Sequence, residues 1–199
     1  LAARGVPRQV LELAEGLDRA RFQVCVLTGH SESGEGDLWG EARDRGIEVT
    51  RVETLRRPIH PTRDGFALAQ LYLYLRRHPC DIVHTHIAKA GLLGRLAAQL
   101  AKIPSVLHTY HGTPNEWIGD GTSARLFRGI ERWAAERTDM LIAVSEAVRG
   151  EMSAMGIGSA CRWRVIRNGI SPVFLSEPLS SPTQRKRAQL LAVGRLTEE

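Results

Sequence analysis

The sequence predicts an α/β fold, a doubly wound and mostly parallel sheet flanked by helices. Three observations carry this. Runs with apolar residues at helical spacing alternate with short strand-like apolar runs, helix-length connections separate successive strands, and Gly, Pro, Asp or Ser marks many of the boundaries. Strands joined by helix-length crossovers pair in parallel.

In order along the chain, Val6, Val10, Leu13, Ala14 and Leu17 recur at helical spacing, with Pro7 suited to a first helical turn. Residues 22–28 read as a strand closed by Gly29. Residues 37–45 form a short helix ending before Gly46, and residues 47–52 alternate as a strand does. Asp64 is expected to cap a helix that turns Leu68, Leu71, Tyr72 and Leu75 inward and ends in Arg76, Arg77 and His78 before Pro79. Residues 81–86 are a strand, 88–102 a helix with Leu92, Leu96 and Leu100 along one stripe, and 105–110 another strand after Pro104. A polar, Gly-rich stretch over 112–122 leads to a helix at 123–137, a strand at 139–144, a helix opened by Ser145, and a short strand around 164–167.

The expected organisation is a domain over 1–170, a linker over 171–187 marked by Pro172, Pro178 and Pro182, and the first strand and turn of a second domain over 188–199. A helix opening behind Gly5 ordinarily follows a strand, so the pattern reads as truncated at both ends.

With 43% hydrophobic and 25% charged residues the chain can bury a proper core and is not disordered. The net charge of +5 is spread over the sequence and mixed with acids, which favours no nucleic-acid partner but is compatible with phosphorylated ligands or a peripheral contact with an anionic membrane. Cys25, Cys80 and Cys161 are widely spaced without a C-x-x-C pair, indicating neither a disulfide framework nor a cysteine zinc site. No apolar run reaches transmembrane length, and residues 1–5 lack the apolar core of a signal peptide, so a cytoplasmic location is expected, compatible with peripheral contact at the inner membrane face.

Ligands of doubly wound sheets sit at the carboxyl ends of the strands. The residues there are Gly29-His30, His86-Ile87, His111-Gly112, Ser145-Glu146 and Asn168-Gly169, from which His86, Gly112, Ser145 and Asn168 are taken as candidate substrate or acceptor contacts. Ser145 also suits a helix N-cap, and with no G-x-S-x-G elbow around it that role is favoured over a nucleophile. His84 and His86 share one strand face, whereas His108 should point away from the neighbours of His111. Without a familiar ligand spacing, these histidines are not expected to bind metal. His84 and His108 read as satisfied, partly buried side chains, and His111, at a strand exit, as the residue that meets substrate. Arg125, Arg128 and Arg132 line one side of a helix whose Leu126, Ile130 and Trp133 have ordinary core spacing. The Arg side could dock on anionic headgroups, but a solvated face is the favoured reading. Gly5 before the first helix and Arg195 after the strand at 190–193 are each suited to phosphate contact.

Gly5-Val-Pro-Arg-Gln-Val-Leu-Glu-Leu-Ala, Asp81-Ile-Val-His-Thr-His with Gly91-Leu-Leu-Gly-Arg, Thr109-Tyr-His-Gly, Ile142-Ala-Val-Ser-Glu, Val165-Ile-Arg-Asn-Gly-Ile and Leu191-Ala-Val-Gly-Arg-Leu-Thr-Glu-Glu follow one another in the order and with the gaps of a known family. The chain resembles the retaining glycosyltransferases of family four, whose two Rossmann-like domains face each other in the GT-B arrangement. The resemblance implies transfer of a sugar from a nucleotide-diphosphate sugar to a glycan, lipid or small-molecule acceptor, with no cofactor and no obligatory metal. It implies that Gly5 approaches the donor phosphates, with Arg4 standing where the family usually has a second glycine. It further implies that His111 is the catalytic histidine, contacting the donor sugar or its phosphate and helping to orient the acceptor, and that Arg195 binds the diphosphate. The family's partner lysine and glutamate pair fall beyond Glu199, so the chain by itself is expected to be inactive. The alternatives are a nucleotide-sugar epimerase of the same shape, or a non-catalytic ligand- or membrane-binding module.

Overall fold

The structure, a computed structural model, describes residues 1–3, 5–31, 34, 36–113, 122–158 and 162–169, all within the unit Leu1–Gly169. Arg4, Cys161, Arg195, the linker at 171–187 and the strand expected within 188–199 lie outside the described residues. The elements are α1 (Gly5–Gly16), β1 (Cys25–Thr28), α2 (Trp39–Asp44), β2 (Glu48–Arg51), α3 (Pro61–Arg77), β3 (Ile82–His86), α4 (Ala88–Ala101), β4 (Ser105–Tyr110), α5 (Thr122–Ala135), β5 (Met140–Ala143), α6 (Glu146–Ala154) and β6 (Arg162–Val165).

Every strand pairing is parallel, as the helix-length crossovers require. The strands do not form one continuous sheet: among the described residues β1 pairs only with β2, and β3-β4-β5-β6 form a separate four-stranded sheet. α3 packs along α4, and Lys89 of α4 meets Asp64 of α3 at 2.5 Å. The shared interior holds Val52, Leu55, Ala67, Leu71, Leu75, Leu93, Ala97, Ala98 and Val106. A second cluster, including Leu11, Ala14, Val26 and Ile47, seats α1 and α2 on the β1-β2 pair, and a third, including Tyr110, Leu141, Met152 and Ile157, seats α6 on the other sheet. Full burial of each leucine or isoleucine in such clusters stabilises the fold by about 1.5–3 kcal/mol.

Several local expectations shift. β1 starts at Cys25 rather than Phe22, and β6 at Arg162, two residues before the expected start. Asp37 stays outside α2, where its carboxylate accepts from the Trp39 backbone N–H at 3.1 Å. α3 begins at Pro61 instead of behind Asp64, because proline's fixed φ suits the first helical position. His60 is its cap, accepting through Nδ1 from Arg63 N–H at 3.4 Å, while Asp64 accepts from His60 N–H at 3.0 Å, a reciprocal pairing of the capping-box kind.

In α4 the buried positions are Gly91, Leu93, Arg95, Ala97 and Ala98, while Leu100 of the expected leucine stripe is 58% exposed. Small residues set this orientation. A Cβ on Gly91 would lie 2.4 Å from His108 Cε1, and one on Gly94 would lie 2.9 Å from Thr85 Cγ2, so only glycine lets the helix lie this close to β3 and β4. In α5 the expected inner side is outside: Leu126, Ile130 and Trp133 are exposed, and Glu131, Ala134 and Ala135 are buried. The helix turns its polar Glu131 inward because a buried arginine meets it there.

These contacts separate two glycines by their surroundings. Gly91→Ala should cost about 1–3 kcal/mol in urea unfolding through overpacking, whereas Gly65→Ala in α3, with nothing within 4 Å of the added Cβ, should stabilise by up to about 1 kcal/mol.

Candidate functional site

Parallel register aligns the exits of the four-stranded sheet. His86 pairs with Thr109, Tyr110 with Ala143, and Ala143 with Val165. Ile87, His111, Ser145 and Asn168 therefore lie along one edge, the carboxyl edge where ligands of such sheets bind. α1 reaches the same edge, because Gln9 Nε2 donates to Asn168 Oδ1, and Gly5 lies about one helical turn from Gln9.

The histidines divide by strand alternation. His108 faces α4 with Thr85, and His84 and His86 face the other way with Thr109. Thr85 donates its single hydroxyl proton to Leu107 C=O at 3.1 Å, so its contact with His108 Nδ1 at 2.8 Å makes that nitrogen the donor. On the opposite face His84 Nε2 meets Thr109 Oγ1 at 2.7 Å, the His84 and His86 rings lie tilted at 37° with centroids 4.3 Å apart, and His86 Nδ1 lies 3.0 Å from His111 Nε2. The remaining His111 nitrogen, Nδ1, is buried with no hydrogen-bond partner among the described residues. No three His, Cys, Asp or Glu side chains among those residues converge as metal ligands do.

Burial keeps this cluster neutral. It lowers His84 to about 4, helped by His111, and His86 to about 3, helped by His84 and His111. Burial likewise lowers His111, and it lowers His108 well below the ordinary value, with the nearby Arg95 charge adding to the effect. At neutral pH the site therefore offers imidazole donors and acceptors rather than cations.

Beneath it lies a network that sequence reading missed. Arg95 and Glu131 are fully buried and paired at 2.6 Å, Arg95 Nε donates to Gly91 C=O at 3.1 Å, and the Tyr110 hydroxyl donates to Glu131 at 2.6 Å. Burial, reinforced by the Glu131 charge, raises the Tyr110 phenol and holds it as a neutral donor. Tyr110 precedes His111, so the network fixes the backbone from which the histidine projects. The available signal was Arg95 itself, a charge between buried positions of an otherwise apolar helix.

Ile87, between His86 and α4, adopts φ 66° and ψ 158°, a region almost reserved for glycine and costing of order 1–3 kcal/mol. Ser145 is a helix cap, its Oγ accepting from Val148 N–H at 3.2 Å. Gly5 and Gly112 have open space where a side chain would stand, so nothing in the described chain requires glycine at either position.

Comparison with known proteins agrees with this arrangement. Residues 3–174 match the Glycosyltransferase Family 4 domain. The chain belongs to glycosyltransferase family 4. This family-4 chain is 36% identical over 138 residues to the UDP-Gal:alpha-D-GlcNAc-diphosphoundecaprenol alpha-1,3-galactosyltransferase of Escherichia coli, a match covering 69% of the chain and 34% of that protein. It is 30% identical over 220 residues to a glycogen synthase of Mycobacterium tuberculosis, covering 98% of the chain and 51% of the relative. The crystal structure of Anabaena HepE in complex with UDP superposes with a TM-score of 0.60 at 18% identity, over 84% of the chain and 41% of HepE. That likeness establishes the α/β fold, the Rossmann-like half of a GT-B arrangement. The chain thus spans about a third to a half of the relatives it matches.

Three outcomes follow from the geometry. Arg95→Met or Glu131→Leu alone should cost about 3–5 kcal/mol in denaturant unfolding, and the double replacement clearly less than the sum. Histidine NMR at pH 5 should find His84 and His86 still neutral. Because their folded values lie below 6.5, the unfolded state binds more protons there. Stability should be full above pH 6.5 and decline as pH falls toward 4 and then 3, read by urea unfolding. Ile87→Gly should raise stability by about 1 kcal/mol, the relieved strain outweighing the entropy of glycine.

Proposed function

We propose that this chain is the acceptor-side part of a retaining glycosyltransferase that moves a hexose from a nucleotide-diphosphate sugar to a glycan or lipid-linked acceptor, with His111 at the reacting centre. The observation that carries the reading is the buried, unpartnered Nδ1 of His111 on the edge shared by Ile87, Ser145 and Asn168. The relatives' names support the substrate class: one moves galactose from UDP-Gal to a diphosphoundecaprenol-linked sugar, one is a glycogen synthase, and HepE was crystallised with UDP and glucose.

The chemistry suits these residue types. As the glycosidic bond to the diphosphate breaks, positive charge grows at the anomeric carbon and negative charge on the leaving oxygen, and fixed donors stabilise the latter. We assign Arg195 to the diphosphate and the open start of α1 at Gly5 to the phosphates, where a side chain would meet only space. His111, neutral, gives one hydrogen bond to the sugar or its phosphate, and Gly112 leaves room for the acceptor. Acceptor attack on the face the leaving group departs from gives retention without a covalent intermediate, and a trapped glycosyl-enzyme would overturn that step. Ser145 is spent on capping α6 and Asn168 on Gln9, so we give them supporting roles.

The exposed side of α5 supports a peripheral membrane contact as part of this reading. Leu126 is 65%, Ile130 37% and Trp133 40% exposed along one stripe of α5, with Arg125, Arg132 and Arg137 exposed on the same helix and its exit. Arg137 lies over the Trp133 ring at 4.4 Å. An apolar stripe with cations beside it fits an anionic lipid surface, where a lipid-linked acceptor would be met. No helix among the described residues is long and apolar enough to cross a membrane.

In the full-length protein, His111→Ala should lower kcat for hexose transfer on the order of 100-fold or more, while Ser145→Ala should cost about 1 kcal/mol of stability with kcat nearly intact. Equal kcat for His111→Ala and wild type would refute the assignment. Co-sedimentation should show binding to phosphatidylglycerol vesicles over phosphatidylcholine ones, lost in Leu126→Glu with Trp133→Glu. Binding unchanged by those replacements would remove the membrane reading.

A further inference from the structure

His86 stands at the carboxyl edge, yet its geometry does not suit it to hold substrate directly. Its Nδ1 is taken up by His111 Nε2 at 3.0 Å. Its ring lies between His84, with centroids 4.3 Å apart, and His111, at 5.3 Å. His84 is in turn held by Thr109 at 2.7 Å. The chain leaves His86 through the strained Ile87, whose C=O is tied to Gly91 N–H at 2.8 Å. Backbone and ring are thus both held at the strand edge.

Two neutral imidazoles 3.0 Å apart share one proton between the facing nitrogens, and a neutral ring carries only one N–H. The tautomers are therefore linked. If His86 Nδ1–H donates, His111 Nε2 accepts and the His111 proton sits on the buried Nδ1. If His111 Nε2–H donates, Nδ1 becomes an acceptor. A phosphate oxygen only accepts, and a neutral imidazole binds it only through an N–H. The first state is the one that fits a nucleotide-diphosphate sugar.

We infer that His86 is a positioning residue: its Nδ1–H donates to His111 Nε2, fixing the ring and tautomer of His111 so that Nδ1–H faces the donor substrate. The inference rests on the reading of His111 as the residue at the reacting centre. His86 itself touches no reacting atom. Its effect is the one an orienting partner has on a catalytic histidine, removing the wrong tautomer before substrate arrives.

The test is made on the full-length protein with His86→Asn, His86→Asp and His86→Leu. Asparagine keeps an N–H donor near the position of Nδ1, aspartate has nearly the same shape but only accepts, and leucine does neither. Long-range proton–nitrogen NMR of the imidazoles, without substrate, should place the His111 proton on Nδ1 in wild type, on Nε2 in His86→Asp, and on both in His86→Leu and His86→Asn, whose amide can donate or accept. Hexose transfer should fall on the order of 10- to 100-fold in kcat in the aspartate and leucine variants, with donor KM little changed, and stay within a few-fold of wild type for asparagine. A wild-type His111 protonated on Nε2 overturns the inference, and needs no variant to fold. Equal kcat in wild type and the aspartate variant also overturns it. Should His111→Ala keep full activity while the tautomers behave as described, the reading of the reacting centre fails and the hydrogen-bond assignment stands.

Discussion

A guanidinium and a carboxylate held out of water between α4 and α5 form the contact on which the candidate site depends. Arg95 and Glu131 meet at 2.6 Å with neither side chain open to solvent. Two buried charges are tolerated only when paired and hydrogen-bonded, so α5 is rotated until Glu131 faces inward. That rotation pushes Leu126, Ile130 and Trp133 to the surface. The same carboxylate accepts from Tyr110 at the end of β4, one residue before His111. One ion pair thus links the orientation of an outer helix, an apolar surface stripe and the anchoring of the histidine at the sheet edge.

The second constraint is closeness. Gly91 and Gly94 bring α4 onto the strands so tightly that a methyl group would meet the His108 ring and the Thr85 side chain. This packing buries His108 and Thr85, hydrogen-bonded to each other, on one side of β3 and β4. His84, His86 and His111 occupy the other side. Desolvation without a compensating negative charge keeps these rings neutral, which fits a site that presents defined N–H groups to a charged ligand.

Much of the fold was legible in sequence because α/β alternation writes two periodicities that differ strongly. The strand exits were legible for the same reason, and His111, His86, Ser145 and Asn168 do share one edge. The inward face of α3, with Leu71 and Leu75, was read correctly, and the faces of two other helices were misplaced. In α4, Leu92, Leu96 and Leu100 were expected along one stripe, but the buried positions are Gly91, Leu93, Arg95, Ala97 and Ala98, with glycine at the closest approach to the strands. In α5, Leu126, Ile130 and Trp133 had core spacing and are exposed, because periodicity gives the angle between residues and not which side the rest of the protein covers. At α3, Asp64 carried the capping signal, yet Pro61 and His60 set the start.

The sequence by itself determined the order of the elements, the parallel sense of the strands and the family, since these depend on local periodicity, connection length and short motifs. Only the tertiary structure decided the separation of β1-β2 from β3-β4-β5-β6, the burial of Arg95 with Glu131, and the contact of His84, His86 and His111 as one cluster. Each of these depends on contacts between residues far apart in the chain. Their energies depend on burial and on partners that a linear pattern does not contain.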